Sequence, residues 1–501
     1  MLSELMAILA PVTVLALGAL VCLGAEPFLK DARKHVVLPW VGTVFAVLAA
    51  LVQFGVAGDA VDLHGLYAAD GMRSWLSLTV ILCAVIGLSG LQQSLSRDAY
   101  PGGEPYALTL LAACGVMLMV AASDYLGLFV GLELASISIY SAVGLRRHRL
   151  ESGEALLKYF VMGAVFSAVF MYGVALSYGA SGSTAYSAVA LEGRDALQYL
   201  GQTLIVVALL FKVGAVPFHF WAPDAYTGAP VPVTGFMAAV VKIGGFTALG
   251  AIWLSRLAVA SDGGLAGSVI PLGAHYTVEE MASSGLERGH HILIAAAILS
   301  LLVGNFSALG QSTLRRLIAF SSISHAGYML LAFALPGTVQ PVAMTSLWFY
   351  LMAYAVASAA TMTAATALCG RDDDDRLIDL HGAARRHPML GVALSILVAS
   401  MAGLPPTAGF LGKYLIFSEL VAKGHVILAV LGMLMAVVGA VYYMRFVIGL
   451  WSGDGNRVPV RGLGGLAWAS VAVAVVVTVA LLAMPGVIID MPAAPIASTA
   501  P

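Results

Sequence analysis

The chain has 501 residues, 60% of them hydrophobic and only 10% charged, with a formal net charge of -2 and a mean hydropathy of +0.93. Soluble domains carry about 45–50% apolar and about 25% charged residues, so the expected solvent is the bilayer, and no polar stretch long enough for a soluble domain is present. The slightly acidic balance excludes nucleic-acid binding, which needs a basic face to displace counterions from phosphates, and the four scattered cysteines (Cys22, Cys83, Cys114 and Cys369) lack the short spacing of metal or redox sites.

The first apolar run opens with MLSELMAILAPV, without the basic n-region of a cleavable signal, and is read as a retained helix. Fourteen apolar runs follow one another near 3–28, 36–56, 72–94, 104–121, 123–145, 153–178, 200–220, 230–256, 289–309, 314–335, 341–369, 388–420, 424–450 and 463–487. Lipid cannot satisfy exposed backbone groups, and these runs far exceed the 9–11 residues of a barrel strand, so each is predicted to be a membrane helix. Seventeen of the 25 Lys and Arg lie in or beside connections after odd-numbered runs, and five lie on the other side. The bias predicts cytoplasmic odd connections and two outward termini. The acidic run Asp372–Asp375, beside arginines, reads as a solvated loop rather than an ion site.

Three lysines remain: Lys212 in LIVVALLFKVGAVPF, Lys242 in VTGFMAAVVKIGGFTALG and Lys413 in GFLGKYLIF. Of the three, only Lys413 is placed to snorkel. Glu133, in YLGLFVGLELASISIYSAVGL, lies about 15 Å inside one face at 1.5 Å per residue. A charge at the bilayer centre costs at least about 2.5–3.5 kcal/mol, so these four residues are expected to be paired or functional. One reading has Glu133 pair with a lysine simply to lock helices together. The other notes that three lysines share one clear intramembrane carboxylate; desolvation opposes the charged form and a carboxylate favours it, which poises such groups to load and release protons.

Prolines stand beside the lysines. Pro217 follows Lys212 in KVGAVPFHFWAPDAYTGAPVPVTGF, and Pro405 and Pro406 precede Lys413 in MAGLPPTAGFLGKY. Both helices are predicted to be discontinuous, the pattern expected where unwound backbone lines a polar path between inverted repeats. His325, in LIAFSSISHAGYMLLAF, is either a proton-passing group or a structural histidine bonded to a serine. His219 in PFHFW is placed near the cytoplasmic end of the seventh helix, on a way in. Lys158 stands four residues after Glu154, which favours a local ion pair, and is equally placed to hand protons inward.

Five segments together, GLELASISIYSAVGL, EALLKYFVMGAVFSAVFMYG, FKVGAVPFHFWAPDAYTGAPVPVTGF, LRRLIAFSSISHAGYM and MAGLPPTAGFLGKY, make the chain resemble the antiporter-like proton-pumping subunits of respiratory complex I over essentially its whole length. The resemblance implies an all-α polytopic membrane protein with an inverted five-helix repeat and discontinuous helices 7 and 12. Its implied segments are helices 1–3 in 1–100, the first repeat in 101–257, an external loop in 258–288 that looks longer than the family needs, the second repeat in 289–450, and the last helix with a tail in 451–501. It also implies a Glu–Lys pair matched by Glu133 and Lys212, a central lysine matched by Lys242, and an outer residue matched by Lys413. That outer residue is typically glutamate in the M type, and the L type continues into a lateral helix that this chain lacks, so the N type is favoured. The parent complex is expected to use NADH, FMN, iron–sulfur clusters and quinone, with no cofactor or metal in this chain, which has no phosphate-binding loop, clustered cysteines or dinucleotide fingerprint. Expected partners are the other membrane-arm subunits and the lipid of a bacterial inner membrane. The rival readings are a subunit of a multisubunit cation/proton antiporter or membrane-bound hydrogenase, and a structural scaffold whose buried charges merely pair.

Overall fold

The computed structural model describes residues 2–56, 61–63, 65–98, 100–186, 196–261, 287–334, 341–370, 375–453 and 462–489. Its helices, in chain order, are α1 (Leu2–Ala25), α2 (Asp31–Gly55), α3 (Gly71–Asp98), α4 (Glu104–Ala121), α5 (Tyr125–Val143), α6 (Leu150–Ser181), α7 (Ala196–Val213), α8 (Trp221–Gly228), α9 (Val231–Ser261), α10 (Glu287–Leu309), α11 (Leu314–Leu330), α12 (Pro341–Ala365), α13 (Ala383–Arg386), α14 (Pro388–Ala402), α15 (Ala408–Ala422), α16 (Val426–Trp451), α17 (Gly465–Ala483) and α18 (Gly486–Ile489). Among the described residues, twelve helices are long and apolar enough to cross a membrane. The 17 residues of α11 and the paired 15-residue α14 and α15 account for the other two predicted runs. One addition is a small antiparallel hairpin, β1 (Val61–Leu63) with β2 (Tyr67–Ala69), in a connection without apolar periodicity. Most of the predicted external loop, 262–286, and residues 372–374 of the acidic run lie outside the described residues.

Burial sorts the helices. The apolar spans of α9 and α12 are wholly buried within the chain, whereas those of α1, α6, α16 and α17 are about a third buried and turn their apolar flanks outward. The span of α12 has the lowest hydropathy of the twelve, 1.3, because a helix enclosed by protein can carry the hydroxyls of Tyr350, Tyr354, Ser358 and Thr361, all buried. The series α4, α5, α6, α7–α8, α9 is matched by α10, α11, α12, α14–α15, α16, with a break in the fourth member of each. Five crossings is an odd number, so the second series traverses the membrane in the opposite sense to the first.

The two breaks are built alike. Gly214 (φ 73°) and Gly403 (φ 77°) take the left-handed conformation that ends a helix. In each, the next amide reaches back five residues, Ala215 N–H to Leu210 O at 2.9 Å and Leu404 N–H to Ala399 O at 3.1 Å. Pro217 and Pro405–Pro406 then prevent continuation. The chain resumes as α8 after the first break and as α15 after the second, where the Thr407 hydroxyl caps the Phe410 amide.

Candidate functional site

Each break leaves terminal carbonyls with no partner inside the helix and a partial negative charge, and at each a buried lysine takes them. Lys242, on α9, donates to Val213 O, the last carbonyl of α7, at 2.8 Å. Lys413, on α15, donates to Ala402 O at 2.9 Å and Met401 O at 3.4 Å, the last carbonyls of α14, and its ammonium lies 4.6 Å from the centre of the Tyr328 ring. Lys413 is only 4% exposed, so it does not snorkel; its ammonium is held by the carbonyls that end α14.

Lys212, at the end of α7, donates to Ser136 Oγ on α5, and the Ser136 hydroxyl donates in turn to Leu132 O. The implied Glu133–Lys212 ion pair is not formed. Glu133 instead accepts from Ser167 Oγ on α6, though its charge still acts on the lysine across the gap. Ser136 lies three residues beyond Glu133, so one helical turn of α5 presents both the carboxylate and the hydroxyl that intercepts the lysine. Between Lys212 and Lys242 lies a cavity of about 10 Å³, bordered by Gly214, Trp221, Tyr226 and Ser322, about the space one water needs.

His325 is buried at 1% exposure and bonds no serine. Its Nδ1 lies 2.6 Å from the Tyr350 hydroxyl on α12 and its Nε2 3.1 Å from the Tyr443 hydroxyl on α16. The ring also lies edge-on to Tyr328, whose other neighbour is the Lys413 ammonium. Lys158 forms its predicted pair with Glu154 at 2.6 Å and a second with Asp224 of α8 at 2.8 Å. His219 sits in the connection between α7 and α8, because α7 stops at Val213 rather than running to 220. Its Nδ1 has no hydrogen-bond partner. The acidic run is not simply solvated: Asp375 is buried and accepts from Arg315 Nε and Nη2, each at 3.2 Å. Arg315 Nη1 also caps Thr227 O and Ala229 O at the end of α8, at 2.7 and 2.9 Å.

Two buried lysines thus sit on helix-end carbonyls, a third on a serine one helical turn from a carboxylate, and a histidine between two hydroxyls. The family described as NADH:quinone oxidoreductase/Mrp antiporter, transmembrane, matches residues 122–261 and 274–439. The chain belongs to the NADH:quinone oxidoreductase/Mrp antiporter family. One relative in this antiporter family, NADH-quinone oxidoreductase subunit N of Rhodospirillum rubrum, is 35% identical over 89% of this chain and 88% of its own length. A chain of respiratory complex I from Thermus thermophilus superposes with a TM-score of 0.77 at 31% identity, covering 96% of this chain and 98% of that one. A chain of the Mrp complex from Dietzia sp. DQ12-45-1b reaches 0.80 over 96% and 95%, at 20% identity, a likeness of fold alone.

Of the sequence candidates, Lys212 and Lys242 border one cavity and His325 and Lys413 flank the same Tyr328 ring, while Glu133, half-buried, faces Ser167 of α6. Sequence reasoning missed Ser136, Ser167, Asp224, Tyr350, Tyr443 and the Arg315–Asp375 joint. For Asp224, position is the one signal available: it stands within the proline-rich segment following Lys212.

Proposed function

We propose that this chain is the proton-translocating membrane-arm subunit, of the N type, of an NADH:quinone oxidoreductase, a translocase subunit that has no redox site of its own. In this reading NADH, FMN, iron–sulfur clusters and quinone act elsewhere in the parent complex, and quinone reduction drives a change of charge or shape along the membrane arm. The chain spans a bacterial inner membrane with both termini outward, and its working units are the five-helix repeats in 101–257 and 289–450.

The single observation that carries the reading is the water-sized cavity between Lys212 and Lys242 at the first helix break. A staple would bring carboxylate and lysine into contact; here Glu133 and Lys212 are held apart by two serines. Closure of the Glu133–Lys212 gap favours the protonated lysine, and opening favours release of its proton through the cavity to Lys242. From there the proton passes by His325 to Lys413 and outward, with Lys158 and His219 on the way in from the cytoplasm. Each charge moved against 100 mV costs about 2.3 kcal/mol, so the drive must come from partner subunits.

Gentle purification of the assembly containing this chain tests the reading. Flavin- and iron–sulfur-bearing partners that oxidise NADH are expected; a complex made solely of antiporter-like membrane subunits would replace the reading with the cation/proton antiporter.

A further inference from the structure

We propose that Tyr350 and Tyr443 are relay residues that pass a proton through His325 from one hydroxyl to the other; this deepens the proton-translocation reading above and rests on it. The three side chains come from three helices, α11, α12 and α16, and each is 1% exposed. Both ring nitrogens of His325 are engaged, Nδ1 by Tyr350 and Nε2 by Tyr443, and the Tyr443 hydroxyl is bonded in turn to Ser321 Oγ. The Tyr354 ring lies over the imidazole, 4.4 Å between centroids, and closes that face.

A neutral imidazole has one N–H and one lone pair, and a hydroxyl has one donor and free lone pairs. Two proton arrangements therefore fit the same heavy atoms. In one, Ser321 donates to Tyr443, Tyr443 to Nε2, and Nδ1–H to Tyr350; in the other, every donor is reversed. Converting one into the other moves a single proton along the chain. A proton binds Tyr443 as its own O–H proton bonds to Nε2, the Nδ1 proton leaves to Tyr350 oxygen, and the Tyr350 proton departs to the next acceptor. Only N–H and O–H bonds form and break, with one proton in and one out.

The helices that carry the hydroxyl chain pack beside the surroundings of the lysines. Ser322, next to Ser321, borders the cavity that holds Lys212 and Lys242. The Tyr350 ring packs so closely on Gly412, the residue before Lys413, that a Cβ there would stand 2.7 Å from its Cδ2. The hydroxyl chain is thus built on α11, which borders the cavity, and on α12, which packs on the helix that carries Lys413.

The test uses the intact complex in proteoliposomes, with Tyr350→Phe, Tyr443→Phe, His325→Ala and Lys242→Met compared for protons pumped per NADH, for the solvent deuterium isotope effect on coupled turnover, and for assembly. Each phenylalanine keeps the ring and its packing, so the expected result is normal assembly, a fall in proton flux of about tenfold or more and a changed isotope effect. Unaltered pumping in both phenylalanine variants, with pumping lost in His325→Ala, overturns the proposal and leaves the lysine reading standing. Unaltered pumping in His325→Ala overturns it as well, by removing the histidine from the route. Unaltered pumping in Lys242→Met overturns the translocation reading beneath it. If a phenylalanine variant does not assemble, Ser321→Ala cuts the same chain one hydroxyl further on, and normal pumping there overturns the proposal.

Discussion

The two helix breaks use the same backbone device and load it differently. At Gly214 the break is flanked by Lys212 of α7 and Lys242 of α9, which share a water-sized cavity, and Glu133 lies one helical turn from the serine that holds Lys212. At Gly403 a single lysine is bound directly to two carbonyls and an aromatic face. The comparison separates two tasks that a buried lysine can serve. Lys212 is placed to feel a change in Glu133, and Lys413 is placed to hold a charge steadily until something removes its proton. A helix end serves both, since its free carbonyls are the acceptors that the membrane otherwise lacks.

Cutting the joint between the two breaks has the largest expected effect. Arg315 caps the carbonyls that end α8 and pairs with Asp375, which leads towards α14. Asp375→Ala leaves a buried guanidinium short of its carboxylate, at a cost of about 3–5 kcal/mol, and is expected to lower the thermal stability of the purified complex or block its assembly. A melting temperature equal to that of the unaltered complex would contradict the role. Next comes the same substitution at corresponding places. Alanine at either glycine incurs about 1–2 kcal/mol for the left-handed backbone, yet a Cβ at Gly403 would also lie 2.9 Å from Lys413 Cδ and 3.0 Å from its Nζ, whereas at Gly214 it meets Trp221 at 3.8 Å. Gly403→Ala is therefore expected to cut pumping more than Gly214→Ala, and equal losses would erase the distinction between the breaks. The smallest effect is expected for Ser136→Ala. Loss of the hydroxyl releases Lys212 towards Glu133, whose carboxylate replaces the lost hydrogen bond, and proton flux should change by no more than about fivefold, roughly 1 kcal/mol. A complete loss would mean that Ser136 itself carries the proton.

The sequence made the crossings legible because hydropathy accumulates over about 20 residues, and all fourteen runs are helical. It exposed both breaks through their prolines, while the glycines that end α7 and α14 were lost among the chain's 54. The short α8 escaped notice, since WAPDAYTG is too brief and too polar to register as apolar periodicity. The lysines stood out because charge is rare in apolar runs. Their partners did not: Ser136, Tyr350 and Tyr443 are common in membrane helices, and only packing of separate helices makes them neighbours. The Glu133–Lys212 pair shows the same limit. Two residues can be assigned to one site from their surroundings, but whether they touch depends on a serine one turn away.

The central claim is that protons cross this chain through its buried lysines, and the most direct measurement is the number of protons pumped per NADH by the intact complex reconstituted with Lys242→Met. Methionine keeps the length and apolar stem and removes the ammonium that donates to Val213 O. The account predicts that the ratio falls while the dehydrogenase module still transfers electrons from NADH to ferricyanide. An unchanged ratio in a fully assembled complex would contradict it.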